Sequence, residues 1–345
     1  LGVVLSIQEQ VMKKRSFLAA LSIVSLLAFK PAVAQGEAIE ITFSTYLPPT
    51  YAYVWEPIQN FVKTVETQSA GRVKFKVFHS AQLYDGYQEL SAVSRGDVDM
   101  VNMTGTYPSG TVPALSIFTL PFMFTSVDHL ERALKGGLLD LGIKQELSND
   151  HNTVILGVGP FDPYEFYSRK TPINAAADVA NKVWATTGAI DARSIQLMGG
   201  SPTGMPSSEL YLAFDRGVVD ATPRPLLTGV GRKLYEVVDY LSLANFGIDT
   251  SILAINKEKW DGLPKDIQEI ITKAAAERDQ QQFKMVREFV QTALANFEKN
   301  GMTVNRIAPA QITEMKNLTA PAIMEWQQKV PNGKEYLDLI IKTEK

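Results

Sequence analysis

Few side chains in this 345-residue chain could do covalent chemistry, and none stands in a local arrangement that would. There is no cysteine, which removes thiol catalysis, disulfides and Cys-based metal sites. The three histidines, His79, His129 and His151, sit in unrelated contexts. None belongs to an HExxH zinc pattern, no GxSxG serine is present, and no Walker-type glycine loop occurs. The GVG at 157–159 is too short for a dinucleotide fingerprint. Carboxylates leave no local motif, so a hydrolase built from acids such as Asp85, Asp162 and Glu165 is the rival enzymatic reading. No catalytic residue, cofactor or metal is expected.

Binding chemistry is better supplied. Between residues 181 and 225 an apolar run (Lys182, Val183, Trp184, Ala185) leads into a helix-like stretch and a turn at Gly199 and Gly200. A second helical stretch, 208–216, stops at Gly217 before Val218, Val219 and Asp220. This alternation predicts parallel strands joined by crossover helices, and small ligands in open α/β sheets lie beyond the carboxyl ends of the strands. Trp184, Thr186, Thr222 and Arg224 fall at or just after such ends. A second concentration is PFDPYEFY at 160–167, where Phe161 and Tyr164 alternate with Asp162 and Glu165.

Two ligand chemistries follow. Arg224 can grip a carboxylate through parallel hydrogen bonds, with an apolar part of the ligand stacked on Trp184; a zwitterion is a variant of this reading. Alternatively Phe161, Tyr164 and Trp184, with Asp162 or Glu165, surround an organic ammonium such as ethanolamine, where cation–π attraction is worth ~1–2 kcal/mol per desolvated contact. Against these stand structural readings: Trp184 as a packing aromatic, Arg224 as an exposed or salt-bridged side chain, and the two acids as a solvated loop.

The elements that must position these residues are legible in the periodicity. Residues 40–46 and 73–78 alternate as strands around a helical stripe formed by Ile58, Phe61, Val62 and Val65, and a helix at about 87–95 precedes a strand at 98–101, so the chain begins βαβαβ. Residues 92–99 (AVSRGDVD) are echoed at 213–220 (AFDRGVVD), each with a Gly suited to ending a helix and an Asp at the same offset. One such unit in each of two similar lobes facing a shared cleft is the preferred reading, with Asp99 and Asp220 serving local hydrogen bonding. PALSIFTLPFMF at 113–124 is core or lobe-interface packing, 128–147 is a helix, and 153–159 is a buried strand running into a first crossing between lobes. Strands at 239–243 and 250–256 flank a return crossing near 245–249. From Pro264 a helical face runs to Lys299, about 50 Å at ~1.5 Å per residue, long enough to brace both lobes.

Charge and the N-terminus bound the setting. The formal net charge is −3, and without the first 34 residues, which hold four basic and one acidic side chain, it is −6, giving no support to a nucleic-acid partner. Residues 12–34 combine a basic start, an apolar run and Ala32, Val33, Ala34, the order of a secretory signal peptide. Periplasmic export is therefore expected. Lobe I is expected at 38–159 plus 248–300, and lobe II at 160–247 plus 301–345.

The order ITFSTYLPPT, GRVKFKVFHSAQL, LSAVSRGDVDM, FTLPFMF, KVWATTG, GMPSSELYLAFDRGVVDATPRP and INKEKWDGLP resembles the solute-binding proteins of tripartite ATP-independent periplasmic (TRAP) transporters, of the dicarboxylate-binding type. The resemblance runs from about Glu40 to past Pro264. It implies a two-lobed periplasmic-binding-protein fold of the α/β class, with βαβ-based lobes, connecting strands and a long helix spanning both. It also implies closure on a small organic solute, delivery to membrane permease subunits, and no enzymatic activity. In that family the run written here Lys182, Val183, Trp184 usually ends in Arg, and a second Arg would fall near Tyr164; both are missing. Where relatives often carry Asn, this chain has Arg224. Tyr46, Thr104, Asn245 and Phe246 lie where relatives tend to line the cleft.

Overall fold

The computed structural model describes residues 37–345. The expected signal peptide at 12–34 lies outside the described residues. In chain order the strands are β1 (Ile39–Ser44), β2 (Val73–Phe78), β3 (Met100–Thr104), β4 (Thr153–Pro160), β5 (Tyr164–Ser168), β6 (Val183–Thr186), β7 (Ser201–Gly204), β8 (Ala221–Pro225), β9 (Tyr240–Leu243), β10 (Thr250–Asn256) and β11 (Thr303–Arg306). They form a five-stranded sheet, β2-β1-β3-β10-β4, and a six-stranded sheet, β11-β9-β5-β8-β6-β7. No helix among the described residues is long and apolar enough to cross a membrane.

The echoed octapeptides perform the same task in each sheet. Gly96 (φ 76°) and Gly217 (φ 70°) take the left-handed conformation that ends the preceding helix. The following aspartates then clip the head of a neighbouring strand. The Asp99 carboxylate accepts from Thr42 N–H at 2.7 Å, and its own N–H donates to Thr42 O at 3.0 Å. Asp220 does the same with Val183, at 2.9 Å and 2.8 Å. The strands so joined, β1 with β3 and β6 with β8, are parallel pairs.

The chain passes from the first sheet to the second between β4 and β5 and returns between β9 and β10. The two crossings lie side by side. Phe161 N–H donates to Asp249 O at 2.9 Å, Tyr164 N–H to Gly247 O at 2.7 Å, and Phe246 N–H to Tyr164 O at 2.9 Å. Behind them runs the helix Lys265–Lys299, 35 residues and about 52 Å long at ~1.5 Å per residue. It lies close on β4 because that strand carries glycines there: a Cβ on Gly159 would stand 2.3 Å from Gln282 Oε1. Gln282 instead donates to Pro160 O at 2.8 Å, and Asp279 accepts from Val158 N–H at 2.7 Å. The helix's far end delivers Ala293 and Phe297 to a core under the second sheet.

The apolar stretch at 113–124 is packing, as the first sheet's core includes Leu115, Ile117, Phe118 and Phe124. Two expectations need correction. The helix expected across 128–147 is broken into Val127–Lys135 and Ile143–Asp150, because Gly137 (φ 93°) and Gly142 (φ 153°) interrupt the periodic stripe. The tail 301–345 does not belong wholly with the second lobe. Ile307 and Met315 pack in a core of the second sheet, whereas Ala322, Trp326, Val330, Tyr336 and Ile340 pack in the core of the first. The helix Pro309–Lys329 is thus a further crossing, made possible by apolar side chains at both its ends.

Candidate functional site

Where the crossings pass between the sheets, a small cavity is walled from both sides. Tyr46, Tyr51, Thr104 and Tyr107 come from the first lobe, Phe161 and Tyr164 from the first crossing, and Thr187, Ser207, Arg224, Pro225 and Thr228 from the second lobe. The cavity volume left between these side chains is only about 10 Å³. A larger depression of about 510 Å³ opens outside it, sharing Tyr107 and Thr187.

Arg224 lies near the end of β8, 1% exposed. Its guanidinium donates through Nη1 to Pro223 O at 2.9 Å and Ala185 O at 3.4 Å, and through Nη2 to Met205 O at 2.9 Å. Nε is buried with no partner. Of the five N–H groups of a guanidinium, one on Nε and one on Nη2 stay uncommitted. Arg224 forms no ion pair with any described residue; its charge in the cavity wall is met by main-chain carbonyls at hydrogen-bond distance and, farther off, by the field of Asp191. Glu165 is directly opposite on β5, but it leans the other way across the sheet and accepts from Asn245 N–H at 3.0 Å and from Ala244 N–H.

Across the cavity, Tyr46 and Thr104 share a hydroxyl hydrogen bond of 2.6 Å, and Tyr46 N–H donates to Glu89 at 2.6 Å. The Tyr164 hydroxyl donates to Asp249 at 3.0 Å. The lobes are latched around this centre. Ser207 N–H donates to the Tyr107 hydroxyl at 2.9 Å, Tyr51 to Thr228 at 3.0 Å, Tyr87 to Thr187 O at 3.0 Å, and Thr50 to Gly231 O at 3.0 Å.

The structure gathers five of the singled-out residues, Tyr46, Thr104, Phe161, Tyr164 and Arg224, around one cavity. The others lie off it. Trp184 is fully buried on the opposite face of β6 from Ala185, with its Nε1 donating to Val179 O at 3.0 Å and its ring edge-on to Phe166. Successive strand residues alternate faces, so Trp184 is core. Phe246 packs between Phe122 and Phe166, and Asn245 turns its amide to Thr125 O at 3.1 Å. Thr186 borders the outer depression, donating to Thr203 O at 3.3 Å. Thr222 donates to Ala185 O at 2.7 Å. Asp162 holds the second lobe to the crossing, accepting from Leu227 N–H at 3.1 Å, from Leu226 N–H and from the Tyr53 hydroxyl.

Burial raises the buried acids. Asp162 and Asp249 are each pushed up to about 6 and Glu165 to about 8, against the hydrogen bonds that favour their ionised forms. Among the described residues no His, Cys, Asp and Glu cluster could hold a metal ion. Sequence reasoning missed Tyr51, Tyr107, Thr187, Ser207 and Thr228, whose types carry no signal until the lobes face each other.

Two facing lobes, side-by-side crossings and a charged centre at their junction agree with what the chain is similar to. The family model for bacterial extracellular solute-binding proteins, family 7, matches residues 43–329. The chain belongs to that family. The C4-dicarboxylate-binding periplasmic protein DctP of Rhodobacter capsulatus is 28% identical over 308 residues, 88% of this chain and 87% of that one. The 2,3-diketo-L-gulonate-binding periplasmic protein YiaO of Escherichia coli K12 is 24% identical over 294 residues, covering 85% and 88%. The fold matches a TRAP periplasmic solute binding protein of Chromohalobacter salexigens, crystallised with D-glucuronate, with a TM-score of 0.82, 23% identity and coverage of 89% and 100%.

Proposed function

We propose that this chain is the periplasmic receptor of a TRAP transporter, that it captures a small organic acid through Arg224, and that its closed form hands the solute to membrane permease subunits. One observation carries the ligand reading: a fully buried guanidinium in the wall of the inter-lobe cavity, with two N–H groups uncommitted and no carboxylate partner among the described residues. A buried unpaired charge is strongly disfavoured, and a ligand carboxylate would relieve it through two parallel hydrogen bonds. The family's habit of binding acids, in the names its relatives carry, supports the same reading.

The ammonium alternative draws less support, because Asp162 and Glu165 are engaged by main-chain amides away from the cavity. The same engagement argues against a hydrolase using them, and Asp85 accepts from Tyr87 and Gln88 N–H groups in a turn. Thermal-shift screening with organic acids, amines and amino acids tests the reading, since a true ligand stabilises as RT ln(1 + [L]/Kd). Acids are expected to raise the melting temperature of the wild type and not of a folded Arg224→Gln variant. Equal stabilisation of both, or stabilisation by amines alone, would end the proposal.

A further inference from the structure

If Arg224 takes a solute's carboxylate, as proposed above, part of the wall around it must move. The cavity that Arg224 lines has a volume of about 10 Å³, room for roughly one water molecule and for no organic acid. The neighbouring depression, at about 510 Å³, falls within the roughly 300–1,000 Å³ usual for ligand pockets. Tyr107 and Thr187 belong to both linings and so stand between the two spaces.

Thr187 is fixed in place. Asp191 accepts from its N–H and its hydroxyl, both at 2.7 Å, and Tyr87 donates to its carbonyl at 3.0 Å. Tyr51 is socketed in the second lobe. Its hydroxyl donates to Thr228 at 3.0 Å, its ring lies so close to Gly231 that a Cβ there would stand 2.7 Å away, and the Arg232 guanidinium covers it at 5.4 Å. Arg232 is thus a second cation beside the cavity, engaged with Tyr51 and, at 3.3 Å, with the Ser207 hydroxyl. Tyr46 and Tyr164 are tied through their hydroxyls to Thr104 and Asp249. Of the four cavity tyrosines only Tyr107 borders the depression. Its hydroxyl accepts from Ser207 N–H at 2.9 Å, and its ring leans on that of Tyr87, 4.7 Å between centroids, which is 40% exposed. The Tyr107 ring therefore has an outlet on the solvent side. Next to it Ser109, 3% exposed, lines the depression with a hydroxyl that has no partner, a group that an entering solute would satisfy.

We infer that Tyr107 is a gate: its ring separates Arg224 from the depression and must swing aside before a solute held there reaches the guanidinium. The test reads access to Arg224 and needs no knowledge of the solute. The full chain is treated with phenylglyoxal, which modifies arginine, and peptide mass spectrometry follows Arg224 against the exposed Arg216 and the buried Arg278. In the wild type Arg224 should react at least about tenfold more slowly than Arg216, and Tyr107→Ala should recover most of that factor while Arg278 stays slow. Tyr107→Phe, which keeps the ring and loses the bond to Ser207, should fall between. Equal Arg224 rates in the wild type and both variants would overturn the gate. So would a wild-type Arg224 as reactive as Arg216, because the lobes would then part far enough to bypass Tyr107. Acceleration of Arg278 together with Arg224 would show general loosening and overturn it too. If Tyr107→Ala fails to give a cooperative melt, Tyr107→Phe and the wild-type ratio still decide. Because phenylglyoxal is not a carboxylate, none of these failures touches the acid reading of Arg224, which the thermal-shift comparison decides separately.

Discussion

Arg224 and the buried acids make separable predictions at the scale of single residues. Arg224→Lys keeps the positive charge but loses the planar fork, so acid affinity should fall by about 1.5–3 kcal/mol; titration showing unchanged affinity would mean the fork is not used. Glu165 is raised by burial to about 8, well above its unfolded range near ~4.3. The folded state therefore binds this proton more tightly than the unfolded state does. Its contribution to stability is fully present below about pH 4 and is lost as pH rises toward 8. Glu165→Gln keeps an acceptor for the amides of Ala244 and Asn245 while removing the titration. Melting temperature measured from pH 5 to 8 should decline less steeply in the variant, and parallel curves would refute the assignment. Asp162 and Asp249, raised to about 6, act in the same sense over about pH 4–6. At this scale the sequence placed Arg224 at a strand end, and the structure puts it in the cavity wall. It misled on Trp184, because a strand residue's face depends on a register that only the paired sheet defines. It was silent on the tyrosine and threonine hydroxyls, since such residues have no local signature of facing a cleft.

Elements were more legible than side-chain directions. The repeat AVSRGDVD and AFDRGVVD marks equivalent strand junctions in both sheets, and the periodic face after Pro264 marks the spanning helix. The break within 128–147 needed the backbone, because apolar spacing continues on either side of Gly136 and Gly137. Asp220→Ala should cost about 1 kcal/mol by removing the bond to Val183 N–H, and Asp99→Ala a similar amount. The two junctions lie in different sheets, so denaturant melts of the double variant should give a sum within about 0.5 kcal/mol of the singles. Strong non-additivity would refute the independence of the junctions. Gly159→Ala drives a methyl group into Gln282 and should destabilise by about 1–3 kcal/mol. A neutral result would mean that the long helix does not depend on this close approach.

For the whole molecule, closure depends on hydrogen bonds that cross between lobes around the Arg224 cavity. Tyr87 is 40% exposed and absent from the cavity wall, yet its hydroxyl reaches Thr187 O. Tyr87→Phe should weaken acid affinity by roughly 0.5–1 kcal/mol and enlarge the radius of gyration in solution scattering. Unchanged values for both would exclude a latching role. The helix Pro309–Lys329 and the segment after it have a different implication, one that concerns the order in which the polypeptide is made. Val93 and Leu90 share a core with Trp326, Tyr336 and Ile340, so the strands and helices around residue 90 lack this part of their core until the segment at 326–340 has been made. Long-range closure of this kind is slow. A nascent chain stopped at residue 308 should therefore stay protease-sensitive around Leu90 and Val93, because the segment that roofs this lobe would be missing.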